Sequence, residues 1–317
     1  MAVPTERTFP MRIVFAGTPA VAVPSLEAVA ARHQVVAVVT REDAPLGRKR
    51  ILTASPVAEA ARRLGLPVLT ANRLGEDVTA RISALEPELG VVVAYGGLVR
   101  EPLLSRPRLG WVNLHFSLLP RWRGAAPVQH ALIAGDAETG AAVFRLVPEL
   151  DAGDVYAELR HPIAPDDTAG ELLAALSLEG AELLADTVDA LADGSVVAQA
   201  QEGEATLAPK LSIEDARLDF GEPADRVYAR LRGVTPEPGA FALLGGERFK
   251  VLAALRTSGE APLRPGAVEA RDGRVLVGTG TEPLELVTVQ PAGKRAMPAT
   301  DWLRGTASRA SDGLVLV

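Results

Sequence analysis

The sequence predicts an α/β domain built on a mostly parallel sheet, followed by a small antiparallel β-barrel. Three observations carry that prediction. From Met11 onward, short apolar runs rich in Val and Ile alternate with amphipathic stretches, the pattern of βα units whose strands are covered on both faces. Past Gly194 the composition changes, and QAQEGEATLAPK has little periodicity, as a connecting segment would. Beyond it GAFALL, RFKVLAAL, GAVEA, GRVLVG and LELVTVQ follow closely, with Asp272-Gly273 between two of them as a hairpin turn signal.

In chain order, MRIVFAG, QVVAVVT, LGVVVAYGG, WVNLHFS and GAAVFRLV mark strands. They are expected near 11–16, 34–40, 67–70, 89–95, 111–116, 141–147 and 154–162. Pro24-Ser25 suits the start of the first helix. The longest helix is expected over 168–193, where Leu172, Leu173, Leu176, Leu183, Leu184, Val188 and Leu191 recur at three- and four-residue steps. One more helix, about 223–233, leads into the barrel strands.

The chain has 317 residues, 48% of them hydrophobic, with 33 Lys+Arg against 40 Asp+Glu and a formal net charge of −7. This is enough for two domains or one large one, and it excludes disorder. The absence of Cys removes disulfides, thiolate nucleophiles and Cys-ligated metal, and suits the cytosol. No apolar run approaches the ~20 residues of a membrane span. The opening MAVPTERTFP lacks the apolar core of a secretory signal and reads as a tail, residues 1–10. Residues 211–317 hold 14 basic and 14 acidic side chains, so nucleic-acid contact, if present, has to be local.

The most informative segment is WVNLHFSLLPRWRGAAP, residues 111–127. Period two puts Asn113 and His115 on one face of a strand end, where an amide donor and an imidazole suit a developing oxyanion. Asp151 in PELDAGDVY is the candidate carboxylate beside His115, expected to fix its tautomer and raise its pKa. Asp151 and Asp154 read equally well as turn residues. Arg48, Lys49 and Arg50, in a polar segment of 41–56, suit phosphate contact or simply a solvated face. No GxSxG elbow supports a serine hydrolase. The four His show no HxxxH or HxH spacing, so no metal is expected. The loop after the first strand is neither GxGxxG nor GxxxxGK[ST].

Taken together, Asn113-x-His115, SLLPRWRGAAP and LDAGD resemble the folate-dependent formyltransferase family. MRIVFAGTP at 11–19, VVTREDAPLGR at 38–48, SPVAEAA at 55–61, VVVAYG at 91–96, APKLS at 208–212 and AGKRAMPATDWLRG at 292–305 extend the resemblance over nearly the whole chain. It implies a Rossmann-like catalytic domain over 11–204, a linker over 205–212 and an OB-like tRNA-binding domain over 213–317. The implied reaction is transfer of the formyl group of 10-formyltetrahydrofolate to the α-amino group of methionyl initiator tRNA by a monomeric cytoplasmic enzyme. The same catalytic residues also suit an amino-sugar nucleotide as acceptor. The implied catalytic residues are Asn113, His115 and Asp151. The resemblance places folate against Ser117, Leu118, Leu119 and Pro120, and tRNA against Arg48, Lys49, Arg50, Lys210, Lys294 and Arg295. DAPLGRKRIL and AYGGLV depart from the family's usual basic loop and from its usual Gln after AYG.

Overall fold

A computed structural model describes residues 10–46, 50–306 and 313–317. The chain divides into two compact units, one of Met1–Pro127, Thr139–Pro162 and Leu173–Ala208, the other of Val128–Glu138, Ile163–Leu172 and Pro209–Val317.

In chain order the elements through Ala208 are β1 (Arg12–Gly17), α1 (Val23–Arg32), β2 (Gln34–Thr40), β3 (Ala44–Leu46), β4 (Ile51–Thr53), α2 (Pro56–Arg63), β5 (Val68–Thr70), α3 (Glu76–Ala84), β6 (Leu89–Val93), β7 (Trp111–His115), β8 (Arg123–Gly124), α4 (Pro127–Ala134, of which Val128 onward belongs to the second unit), β9 (Glu138–Arg145), β10 (Val155–Pro162), α5 (Ala169–Asp193) and β11 (Leu207–Ala208). The first unit is built on a sheet of order β10-β9-β7-β6-β1-β2-β5. Neighbours from β7 to β5 pair in parallel, and β9 is antiparallel to β7. The central strands are buried almost end to end, as the continuous Val and Ile runs require. The expected strands therefore form. So does the long helix, which begins one residue later than expected.

Strand order reverses between β1 and β6, because the chain proceeds from β1 to β2 and β5 on one side and returns to β6 and β7 on the other. Ligand crevices open beyond the carboxyl ends of strands at such a point. Those ends are Gly17 and Val93, and Thr18 Oγ1 donates to the Tyr95 carbonyl (3.1 Å) to tie their loops together. On β7, Leu114 is buried toward α5. A Cβ on Gly180 would lie 3.1 Å from the Leu114 side chain, so glycine there lets the helix approach and fixes the strand that carries Asn113 and His115. Full burial of a side chain such as Leu114 is worth about 1.5–3 kcal/mol.

The polar 41–56 segment, for which no strand is expected, contains the β3–β4 hairpin. Ile51 and Leu52 on it are 61% and 68% exposed, so no burial alternation announces the strands.

The second unit adds α6 (Ala224–Gly233), β12 (Phe241–Leu244), β13 (Glu247–Arg256), β14 (Ala267–Arg271), β15 (Arg274–Val277), β16 (Leu284–Gln290), β17 (Met297–Pro298), α7 (Ala299–Thr306) and β18 (Leu314–Val315). Its sheet is antiparallel, in the order β12-β13-β16-β15-β14-β18. Reciprocal backbone bonds between Leu243 and Val317 (2.7 and 2.9 Å) join its last strand to its first, closing an OB-like barrel. Asp272 and Gly273 turn the β14–β15 hairpin with φ of 51° and 75°, the two left-handed positions that an Asp-Gly turn supplies. Phe249 packs on Trp302 with ring centroids 4.5 Å apart, joining α7 to a core that also takes in Val227, Tyr228 and Leu231 of α6. Among the described residues no helix is long and apolar enough to cross a membrane.

Candidate active site

The candidate site is built on the carboxyl end of β7. Asn113 pairs with Phe144 of β9 and His115 with Ala142, and Leu119 from the following loop packs on Ala142 and Phe144. The loop thereby covers the strand face that carries the two polar residues. His115 is 6% exposed, edge-on to the Phe144 ring at 6.3 Å and 88°. Asn113 is half-buried, and among the described residues no hydrogen bond engages its carboxamide. An unengaged amide donor at a strand end is available to a reacting oxygen.

The loop then turns so that its backbone meets the ring. His115 Nε2 lies 2.9 Å from the Trp122 carbonyl oxygen. A carbonyl only accepts, so Nε2 carries a proton and the neutral ring has its lone pair on Nδ1. Nδ1 is 3.9 Å from Oδ2 of Asp151, beyond hydrogen-bond reach. The same Oδ2 accepts from the Gly124 N–H at 2.8 Å.

The structure therefore brings Asn113, His115 and Asp151 to one place, with one correction to the sequence reading. Burial lowers the His115 pKa below its ordinary value and outweighs both the Asp151 charge and the Trp122 carbonyl, which raise it. The tautomer is set by the Trp122 carbonyl rather than by Asp151. A carboxylate in the sequence is visible, whereas the burial that competes with it is not.

Within SLLP, Ser117 is fully buried and its hydroxyl donates to the Arg121 carbonyl at 2.7 Å. Leu119 and Pro120 are buried and Leu118 is half-buried. Side chains of this loop thus shape the site more than they offer polar groups to it. Arg50 is exposed in a turn at φ 48°. Lys210, Lys294 and Arg295 of the second unit are also exposed, the latter two between β16 and β17. Arg48 and Lys49 lie outside the described residues. Among the described residues no cluster of three or more His, Asp or Glu side chains could hold a metal ion.

Sequence reading missed the residues that hold this geometry. Gln201 Nε2 donates to the carbonyls of Asp151 and Gly153, each at 2.8 Å, and Thr206 Oγ1 accepts from the Trp122 N–H at 2.9 Å. The pairing of β11 with β8 belongs to the same strap. No local signal marks these residues, because their partners lie 48 to 84 positions away.

A family model described as formyl transferase matches residues 11–188, and one described as formyl transferase, C-terminal domain, matches 210–307. The chain is 71% identical over 300 residues to a methionyl-tRNA formyltransferase of Leifsonia xyli subsp. xyli, covering 95% of this chain and 99% of that protein. It is 59% identical to one from Clavibacter michiganensis subsp. michiganensis, covering 94% and 98%. Among solved structures, HypX from Aquifex aeolicus in complex with tetrahydrofolic acid superposes with a TM-score of 0.63 at 18% identity, covering 96% of this chain and 48% of that one. An N-formyltransferase from Helicobacter canadensis superposes at 0.67 and 16%, covering 89% and 99%. At these identities the structural likeness establishes the fold alone. With one family model spanning the Asn113–His115 strand and the Asp151 turn, a second following over most of the barrel unit, and relatives matched almost end to end, this chain belongs to the formyl transferase family.

Proposed function

We propose that the protein transfers the formyl group of 10-formyltetrahydrofolate to the α-amino group of methionyl initiator tRNA. The observation that carries this reading is the 71% identity to a methionyl-tRNA formyltransferase over 95% of the chain. The site chemistry agrees with it. In this reading residues 11–204 are the catalytic domain, 205–212 the linker and 213–317 the tRNA-binding barrel, acting as a monomer in the cytoplasm and needing no metal.

The reaction forms a bond between the amine nitrogen and the formyl carbon and breaks the bond from that carbon to the folate N10. Asn113 donates to the oxygen that becomes an oxyanion in the tetrahedral intermediate. His115, held neutral by burial with its lone pair on Nδ1, takes the proton that the attacking nitrogen releases. The imidazolium so formed is stabilised by the Asp151 carboxylate, 3.9 Å away, and returns the proton to N10 as it leaves. Ser117, Leu118, Leu119 and Pro120 frame the folate ring as an apolar wall beside β7. Arg48, Lys49, Arg50, Lys210, Lys294 and Arg295 take phosphates of the tRNA.

The test is detection of N-formylation by mass spectrometry. Purified protein and 10-formyltetrahydrofolate are given methionyl initiator tRNA, glycinamide ribonucleotide, an amino-sugar nucleotide or water alone. Formyl-methionyl-tRNA as sole product is the expected result. Formylation of the sugar nucleotide instead keeps the chemistry and overturns the tRNA assignment.

A further inference from the structure

We propose that Gln201 and Arg123 are positioning residues for Asp151, and that the segment 199–208, which takes in the first four residues of the linker and lies in the first unit, belongs to the catalytic apparatus rather than being a tether. This inference rests on the catalytic role given to Asp151 above.

Asp151 sits at φ 45°, a left-handed conformation uncommon outside glycine, and its surroundings hold it there. Two hydrogen bonds do so from one amide, since Gln201 Nε2 reaches the carbonyls of Asp151 and Gly153, both at 2.8 Å. The orientation of that amide is fixed in turn. Arg123 Nε and Nη2 approach Gln201 Oε1 at 3.1 and 2.6 Å, and a guanidinium has only donors. The oxygen must therefore face Arg123 and the NH₂ the two carbonyls.

Arg123 is the neighbour of Gly124, whose N–H holds the Asp151 carboxylate. The backbone and the side chain of Asp151 are thus referred to the same two-residue strand, β8. That strand is stapled by the 199–208 segment: Arg123 N donates to Thr206 O at 2.8 Å, and Ala126 N to Ala208 O at 3.1 Å. Trp122, whose carbonyl meets His115, donates its N–H to Thr206 Oγ1. One strap sets the frame for both His115 and Asp151.

The experiment compares the wild type with Gln201→Met, which keeps side-chain length and loses every polar atom, and Gln201→Glu, which keeps an acceptor for Arg123 but sets a carboxylate against two carbonyls. Three readouts are taken: kcat and KM for methionyl-tRNA formylation, the NMR titration of the His115 ring, and the thermal midpoint. On the elements packed against that ring the charged groups are Glu138 and Arg145 on β9, Glu149, Asp151 and Asp154 on the β9–β10 turn, Arg121 on the loop and Arg123 on β8; Phe144 is uncharged. Both variants are expected to lose about 10- to 100-fold in kcat, the scale of a misplaced catalytic group, with KM little changed. Release of the carboxylate that raises the His115 pKa should move its titration to lower pH. Wild-type kcat with an unmoved titration, or a kcat loss that tracks a falling thermal midpoint while the titration stays in place, overturns the proposal. A wild type inert toward every acceptor, with the titration still displaced in Gln201→Met, sinks the functional reading and leaves the positioning role standing.

Discussion

His115 and Asp151 face each other as ion-pair neighbours without a hydrogen bond, Nδ1 and Oδ2 standing 3.9 Å apart. The opposite ring nitrogen is committed to the Trp122 carbonyl. Burial outweighs both contacts and keeps the histidine neutral at rest, with a carboxylate in place to stabilise its charged form when a proton arrives.

The pH dependence of turnover follows from that arrangement. A neutral base is lost when it protonates, so kcat/KM should fall on the acid side, with the limb set by a His115 pKa below its ordinary 6.5. Asp151→Asn removes the charge that raises this pKa. The limb should therefore move to lower pH while turnover drops, as a pH–rate profile of both proteins would reveal.

Stability should respond to the same burial. His33 and His115 both have pKa values lowered chiefly by desolvation, so the unfolded chain binds protons that the folded one does not. Stability is then intact above the unfolded value of about 6.5 and declines as pH falls toward the lower folded values. Urea midpoints at pH 7.5 and 5.5 are expected to differ, and the difference to shrink in His115→Gln.

A methyl group at position 153 should disturb the site through backbone alone. A Cβ on Gly153 would lie 1.8 Å from the Arg145 carbonyl oxygen, so Gly153→Ala must shift the turn that carries Asp151. A loss of about 1–3 kcal/mol in stability is expected from such overpacking, together with a fall in kcat under conditions where the variant is still fully folded. Denaturant titration and steady-state kinetics check the two halves.

The exposed pair Lys294 and Arg295 should act on tRNA affinity and leave the chemistry alone. Alanine at both positions is expected to weaken tRNA binding and to reduce the salt slope of log K by about one for each phosphate no longer neutralised. Filter binding over a series of salt concentrations measures this, with kcat at saturating tRNA unchanged.

The sheet was readable because its strands are buried runs bounded by turn residues, and WVNLH placed Asn113 and His115 on one face by alternation alone. The β12–β16 runs were readable instead from short alternating apolar stretches and the Asp272-Gly273 turn, β14 itself burying no residue fully. What stayed hidden depends on distant residues meeting in the fold. The β3–β4 hairpin exposes Ile51 and Leu52, so its strands carry no inward-facing pattern. Gln201 and Thr206 lie in a polar stretch without periodicity, and their importance resides in the backbone groups of residues 122, 151 and 153 that they reach. The direction of the His115 shift needed the Phe144 wall and the Leu119 cover, which only the fold assembles.

The most direct test is single-turnover formylation of methionyl initiator tRNA by the wild type and by Asn113→Ala, His115→Ala and Asp151→Asn, with tRNA affinity measured alongside. Formyl-methionyl-tRNA is expected from the wild type. Asn113→Ala should be slower by about 10²–10³, the cost of losing one oxyanion donor, and the other two variants also impaired, all at unchanged tRNA affinity. A variant that forms product at the wild-type rate would contradict the role given to that residue, and three such variants would remove the site from β7 altogether.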